Sequence, residues 1–410
     1  MAQSPFHMLS SDLFDCFNVD NIHELDEPHR ILIADRFTDA LVLLLKAIGY
    51  HHRVRAQDIE LRDGIRKWAR DTLTIATGRD EYLLRHTIDM SASVSEYFYP
   101  LSSYETKIHM ATASAAAFTV DDATMDPETC KEVEKFSQNI WRGMPQQTSW
   151  CRMYADIISG YAEYFGENEP FLGNLGSIAW TSYITANSLE NRLAKDLPTH
   201  FNDNTPYSET TSACTDLFAP YFRSLTGFAA AYAVAIFKPS REVEIPLLHW
   251  VATIPHLITF LNIWNDLLSF PKETIVGETC NFISLTTKAR RLRRSTSNFV
   301  VEGGQWTLRD TLCEAFEQAL SSTQVLDNAF MPLAQVTSKG LRAGLEGVNA
   351  DVSEELDSGK EFQSAARLWT SFKQGYIAWH IQCPRYKLNA LQQKLREKPH
   401  SGPKGSGRSS

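Results

Sequence analysis

The chain has 410 residues, 43% of them hydrophobic and 22% charged, with a formal net charge of −9. That balance permits a sizeable buried core, and the acidic surplus excludes a general nucleic-acid binder, which needs basic residues against phosphates. Seven cysteines (Cys16, Cys130, Cys151, Cys214, Cys280, Cys313, Cys383) are scattered with no CxxC pair or Cys/His cluster. This pattern excludes a zinc centre and a disulfide framework and fits reduced thiols in the cytoplasm.

The N-terminus, MAQSPFHMLSSDLFDCF, lacks the basic and apolar regions of a signal peptide. Helical periodicity begins with residues 31–50, which stop near Gly49. Residues 103–121 and 245–270 read as helices too, with Pro246 in the first turn of the second. Further helices are predicted over 307–329 and 362–381. The longest apolar run, Phe228 to Phe237, falls short of the roughly 20 residues that span a bilayer. The basic run Lys288, Arg290, Arg291, Arg293, Arg294 reads as a solvated loop rather than a membrane-surface or import signal. No segment alternates as a strand would, and neither repeats nor composition shifts divide the chain. The expectation is a single all-α domain over 1–396, followed by a disordered polar tail over 397–410.

Two segments carry metal chemistry. In LNIWNDLLSFPKE, Asn265, Ser269 and Glu273 stand at i, i+4 and i+8. At about 100° per residue, each step of four turns a position by only about 40°, so all three share one helix face. They offer an amide oxygen, a hydroxyl and a carboxylate, a set suited to magnesium and poor for zinc. Lys272 adds a cation beside that face for a phosphate, while Pro271 predicts a kink that re-aims Glu273. The other segment, AAFTVDDATMDP, places Asp121, Asp122 and Asp126 after an apolar helix. Lys107, Met110, Ala111, Ser114, Ala117, Phe118 and Asp121 form one stripe of that helix, which puts Asp121 at the mouth of whatever cavity the stripe lines. An aspartate pair at a helix end also serves as an ordinary cap.

NDLLSFPKE resembles the second metal motif of class I terpenoid cyclases, in the form found in the fungal trichodiene synthase-like family. VDDATMDP resembles that family's aspartate-rich motif, with Asp121 at the ligand position. YFRSLTGFAA places Arg223, Thr226 and Gly227 at the spacing of the family's diphosphate sensor, linker and effector. GYIAWHIQCPRYKL carries an Arg-Tyr pair, Arg385 and Tyr386, like the family's C-terminal basic motif. The four matches run in the family's order over roughly residues 100–390. Met125, Thr226, Cys383 and Pro384 depart from its usual residues.

The resemblance implies an all-helical bundle around a central apolar cavity and a sesquiterpene cyclase acting on farnesyl diphosphate. It also implies three magnesium ions, held by Asp121 on one side and by Asn265, Ser269 and Glu273 on the other. Arg223, Lys272, Arg385 and Tyr386 would then hold the diphosphate, and metal would let an acidic protein accept a polyanion. An aromatic-lined cavity would shelter the carbocation. Phe118 is the first candidate for that lining, and Trp180, Tyr183, Trp264 and Trp379 read more naturally as core. Asn262 reads as a structural amide or a polar contact for a cation. A homodimer is allowed for; no membrane span or nucleic acid is expected. The product skeleton, trichodiene, longiborneol-type or another, stays open. The alternatives are a chain-elongating prenyltransferase, which would carry two aspartate-rich motifs, and a catalytically silent prenyl-diphosphate-binding protein, which would have lost metal ligands.

Overall fold

The computed structural model describes residues 9, 11–200, 217–278, 281–296, 305–343 and 352–396. Among them no strand occurs, and no helix is long and apolar enough to cross a membrane. The residues from 397 onward, where the sequence predicts a tail, lie outside the described residues.

Short polar residues start the helices where the sequence places them. Helix α1 (Glu27–Ala47) opens on Asp26, which accepts from the His29 N–H, and α2 (Ile59–Trp68) opens on Asp58, which accepts from Leu61. Asp80 and Ser103 cap α3 (Glu81–Phe98) and α4 (Tyr104–Phe118) through the amides of Leu83 and Thr106. Each such cap satisfies an otherwise orphan amide, worth about 1 kcal/mol. After α4 come the short α5 (Val120–Ala123), α6 (Pro127–Val133) and α7 (Phe136–Trp141). Then follow α8 (Ser149–Gly166), α9 (Pro170–His200), α10 (Phe218–Thr226) and α11 (Ala229–Ile236). The chain continues with α12 (Ile254–Val276), α13 (Phe282–Thr296), α14 (Leu308–Ala343), α15 (Val352–Gln382) and α16 (Asn389–Arg396).

Packing closes these helices into a ring. Helix α4 packs on α3, α3 on α15, α15 on α14, α14 on α12, α12 on α11, α11 on α9, α9 on α8, and α8 back on α4. Two features of the sequence make the ring tight. The run Ala111 to Ala117 leaves α4 without bulky side chains, and Ala111, Ala113, Ala115, Ala116 and Ala117 are all fully buried, as in a helix covered on every side. Gly375 brings α15 against α3 so closely that a Cβ there would stand 1.7 Å from the Tyr97 carbonyl oxygen. No other residue fits at that contact.

Three sequence expectations need correction. Pro246 precedes a short 3-10 turn, Leu247–His249, and it is Pro255 that lies in the first turn of α12. The Trp250 indole N–H donates to the Ile245 carbonyl at 3.2 Å and holds that lead-in segment apart from the helix. The basic run lies on α13 rather than in a loop. There Arg291 pairs with Asp20 at 2.8 Å and Arg290 with Glu314 at 3.6 Å, so partners on other elements hold it helical. Finally, the helices predicted over 307–329 and 362–381 extend to Ala343 and back to Val352.

Candidate active site

The ring surrounds a cavity of about 100 Å³. Aromatic residues from four helices line it: Phe98 from α3, Phe118 from the end of α4, Phe228 and Tyr232 at the start of α11, and Tyr376 and Trp379 from α15. Their polar atoms have protein partners. The Tyr376 hydroxyl donates to the Leu261 carbonyl at 2.6 Å, the Trp379 indole to Ser93 Oγ at 2.8 Å, and the Tyr232 hydroxyl meets Ser114 Oγ at 2.8 Å. What these rings offer the cavity is π surface.

The polar groups gather at one end. Arg223, in the last turn of α10, points at α12 and is held there by several bonds. Its Nε donates to Asp266, 2.8 Å from Oδ1 and 2.9 Å from Oδ2. Nη2 donates to Asn265 Oδ1 at 2.9 Å and to the Asn262 carbonyl at 3.3 Å, and Nη1 to Thr226 Oγ1 at 3.2 Å. Burial lowers the Arg223 pKa and the Asp266 carboxylate raises it, the net being upward. Burial pushes Asp266 up to about 6 against the pull of Arg223, which leaves it ionised at neutral pH. Gly227 follows directly, where a Cβ would meet Asn262 Oδ1 at 2.1 Å and Arg223 Nη1 at 3.2 Å. Phe228 then takes φ +29°, ψ +29° between α10 and α11, a conformation that costs a bulky residue about 1–3 kcal/mol. Stacking on Trp180 at 4.7 Å, with Tyr232 at 5.0 Å, holds its ring in the cavity wall.

Helix α12 runs unbroken through Pro271. The predicted kink is absent, and the Ser269 hydroxyl donates to the Asp266 carbonyl at 3.3 Å. Asn265, Ser269 and Glu273 therefore share the expected face. Burial pushes Glu273 up to about 7, Ser269 and Lys272 lower it, and Glu278 and Asp266 raise it. An anion held at that cost is one that a bound cation would relieve. Among the described residues no three His, Cys, Asp or Glu side chains form a metal cluster, and here the donors are an amide, a hydroxyl and a carboxylate. The set fits a hard divalent ion. Asn265 Oδ1 has two lone pairs, of which Arg223 takes one.

The opposite rim is looser. Phe118 lines the cavity, and Arg385 sits over its ring at 6.0 Å. Asp121 lies on α5, with its side chain outside the described residues. Asp122 pairs with Arg79 at 3.0 Å, and Asp126 caps α6 by accepting from the Thr129 amide at 2.8 Å. Met125 is 75% exposed. The stripe on α4 faces the cavity only at Phe118: Lys107 turns to Asp58 at 3.0 Å, and Tyr232 stands in front of Ser114. Lys272 is half-buried on α12, Arg385 is exposed, and Tyr386 is buried with its hydroxyl accepting from Asn265 Nδ2 at 3.2 Å.

Several cavity residues carry no sequence signal. Phe98, Phe228, Tyr232, Tyr376 and His380 meet only because three helices converge. Of the aromatics read as core, Trp379 lines the cavity, Trp180 and Tyr183 back the Phe228 ring, and Trp264 points away to Thr323 Oγ1 at 3.2 Å. Asp266 stands inside the second metal motif, and its adjacency to Asn265, about 100° around the helix, was its signal.

No family model matches the chain. It is similar to the terpene synthase BipA of Cochliobolus sativus, 26% identical over 309 residues that cover 75% of this chain and 76% of that protein. It is also similar to the longiborneol synthase CLM1 of Gibberella zeae, 28% identical over 191 residues, 46% of this chain and 51% of that protein. Among solved structures, the linalool/nerolidol synthase of Streptomyces clavuligerus, in complex with 2-fluorogeranyl diphosphate, shares the fold with a TM-score of 0.50 at 13% identity. That match covers 80% of this chain and 100% of the solved one. The chain is thus similar along three quarters of its length to a fungal terpene synthase and shares the fold of a solved terpene synthase.

Proposed function

We propose that the enzyme is a sesquiterpene cyclase that ionises farnesyl diphosphate with magnesium and cyclises the cation to a hydrocarbon or alcohol, releasing diphosphate in the cytoplasm. The observation that carries this reading is the division of the cavity: aromatic walls on every side and one polar end, with hard oxygen donors beside a guanidinium. Relatives of this class imply a divalent metal. Asp121, Asn265, Ser269 and Glu273 would hold magnesium, three ions by the resemblance, and the ions would supply Lewis-acid stabilisation of the departing diphosphate.

The chain's own residues do the rest. Arg223, Lys272, Arg385 and Tyr386 bind the diphosphate oxygens, Arg223 with a fork already oriented by Asp266 and Thr226. Thr226 links Arg223 to Gly227, the residue that brings backbone to the cavity edge. With the diphosphate held at the polar end, the prenyl chain extends among Phe118, Phe228, Tyr232 and Trp379. Ring faces attract the cation without adding to it. The decisive experiment incubates the purified protein with geranyl, farnesyl and geranylgeranyl diphosphates plus magnesium and analyses the volatiles. Cyclic C15 products from farnesyl diphosphate are expected; turnover of the C10 or C20 substrate alone would overturn the assignment.

A further inference from the structure

The Asn265 amide is pinned on both sides. Arg223 Nη2 only donates, so at 2.9 Å it must face the amide oxygen. On the nitrogen side, Nδ2 lies 3.0 Å from His380 Nε2 and 3.2 Å from the Tyr386 hydroxyl. The His380 tautomer follows from its other nitrogen: Nδ1 is 2.8 Å from the Tyr376 carbonyl, which only accepts. Nδ1 therefore carries the proton, and Nε2 presents a lone pair to Asn265. The ring is 1% exposed and wedged among Tyr376 at 4.5 Å, Tyr386 at 4.7 Å and Trp379 at 4.8 Å, so it cannot swing away.

An amide turned over is nearly isosteric but chemically reversed, presenting N–H donors where a metal needs an oxygen. We propose that His380 is a positioning residue, whose Nε2 holds the Asn265 carboxamide with its oxygen toward the metal and diphosphate. The inference rests on the reading of Asn265 as a metal ligand. Groups that orient metal ligands in this way typically change affinity by about 10–100-fold when removed.

Magnesium with inorganic pyrophosphate, titrated calorimetrically into the intact enzyme, tests this apart from turnover. His380→Phe keeps the ring packing and removes the acceptor; it should weaken binding by about 10–100-fold with the melting temperature nearly unchanged. His380→Gln, whose Oε1 reaches the Nε2 position, should recover most of the binding. Should the Phe variant fail to fold, His380→Asn replaces it, since its shorter amide serves Tyr376 but does not reach Asn265. Equal binding losses in the Gln and Asn variants would then overturn the proposal. Asn265→Ala separates the two readings. If it weakens binding and His380→Phe does not, His380 only packs; if neither variant changes binding, Asn265 is no ligand and the positioning role falls with it.

Discussion

The two rims of the cavity are built differently. On the α12 side, Asn265, Asp266, Arg223, His380 and Tyr386 bond one another, and Ser269 bonds the Asp266 carbonyl. On the α4–α5 side, Asp122 and Asp126 are spent on Arg79 and on capping α6, and Arg385 is exposed with a ring contact to Phe118. One rim has its geometry set before a ligand arrives, so its residues gain little by moving. On the proposed reading, the other offers charges that a diphosphate must recruit. Preorganised donors contribute most to stabilising a leaving group, because no reorganisation is needed during reaction.

The widest test of that contrast is metal removal, since every proposed ligand on both rims is a hard oxygen donor. Excess EDTA should abolish turnover and magnesium should restore it, measured as diphosphate release; full activity in the chelator would break the reading for both rims. Next is Glu273→Gln, which keeps shape and removes charge. Turnover should fall on the order of 10²–10³-fold. The melting temperature should hold or rise slightly, because a half-buried carboxylate pushed up to about 7 is costly to keep ionised. Unfolding of the variant, with a normally active folded fraction, would make the residue structural.

Arg223→Lys and Arg385→Lys compare the rims directly. Lys at 223 keeps charge but cannot reach Asp266, Thr226 and Asn265 together, so rate, stability and product fidelity should all fall. Lys at 385 leaves no buried ion pair broken. Its melting temperature should match the parent's, while premature-quench products rise. Equal stability losses in the two variants would erase the distinction between a fixed and a recruited rim.

The sequence made one rim more legible than the other, for a physical reason. Asn265, Ser269 and Glu273 lie on one helix, where spacing alone sets the shared face, and the face survived even Pro271. Caps are equally local: Asp126, read in the sequence only as part of the aspartate-rich segment, starts α6 just before Pro127. His380, Phe98 and Phe228 were not legible, because their roles depend on which helices the ring brings together. The basic run misread as a loop shows the same limit, since Asp20 and Glu314 hold Arg291 and Arg290 from far along the chain.

The smallest expected effect falls on product choice. Phe118 stands on the recruited rim, with Arg385 over its ring, and lines the cavity together with Phe228 and Tyr232. On the proposed reading, a cation formed at the diphosphate end meets that ring. Phe118→Leu keeps most of the apolar volume and deletes the quadrupole, worth about 0.5–2 kcal/mol to a desolvated cation. Branching between cations responds to differences of this size, because about 1.4 kcal/mol changes a rate tenfold. The variant should fold, consume substrate at a similar rate, and shift its volatiles toward acyclic and monocyclic products. Trp264→Phe is the matched control: Trp264 is buried with its indole on Thr323 and lies outside the cavity lining. It should lower the melting temperature and leave product ratios alone. If Trp264→Phe changes the ratios and Phe118→Leu does not, the cation does not travel along the wall that Phe118 forms.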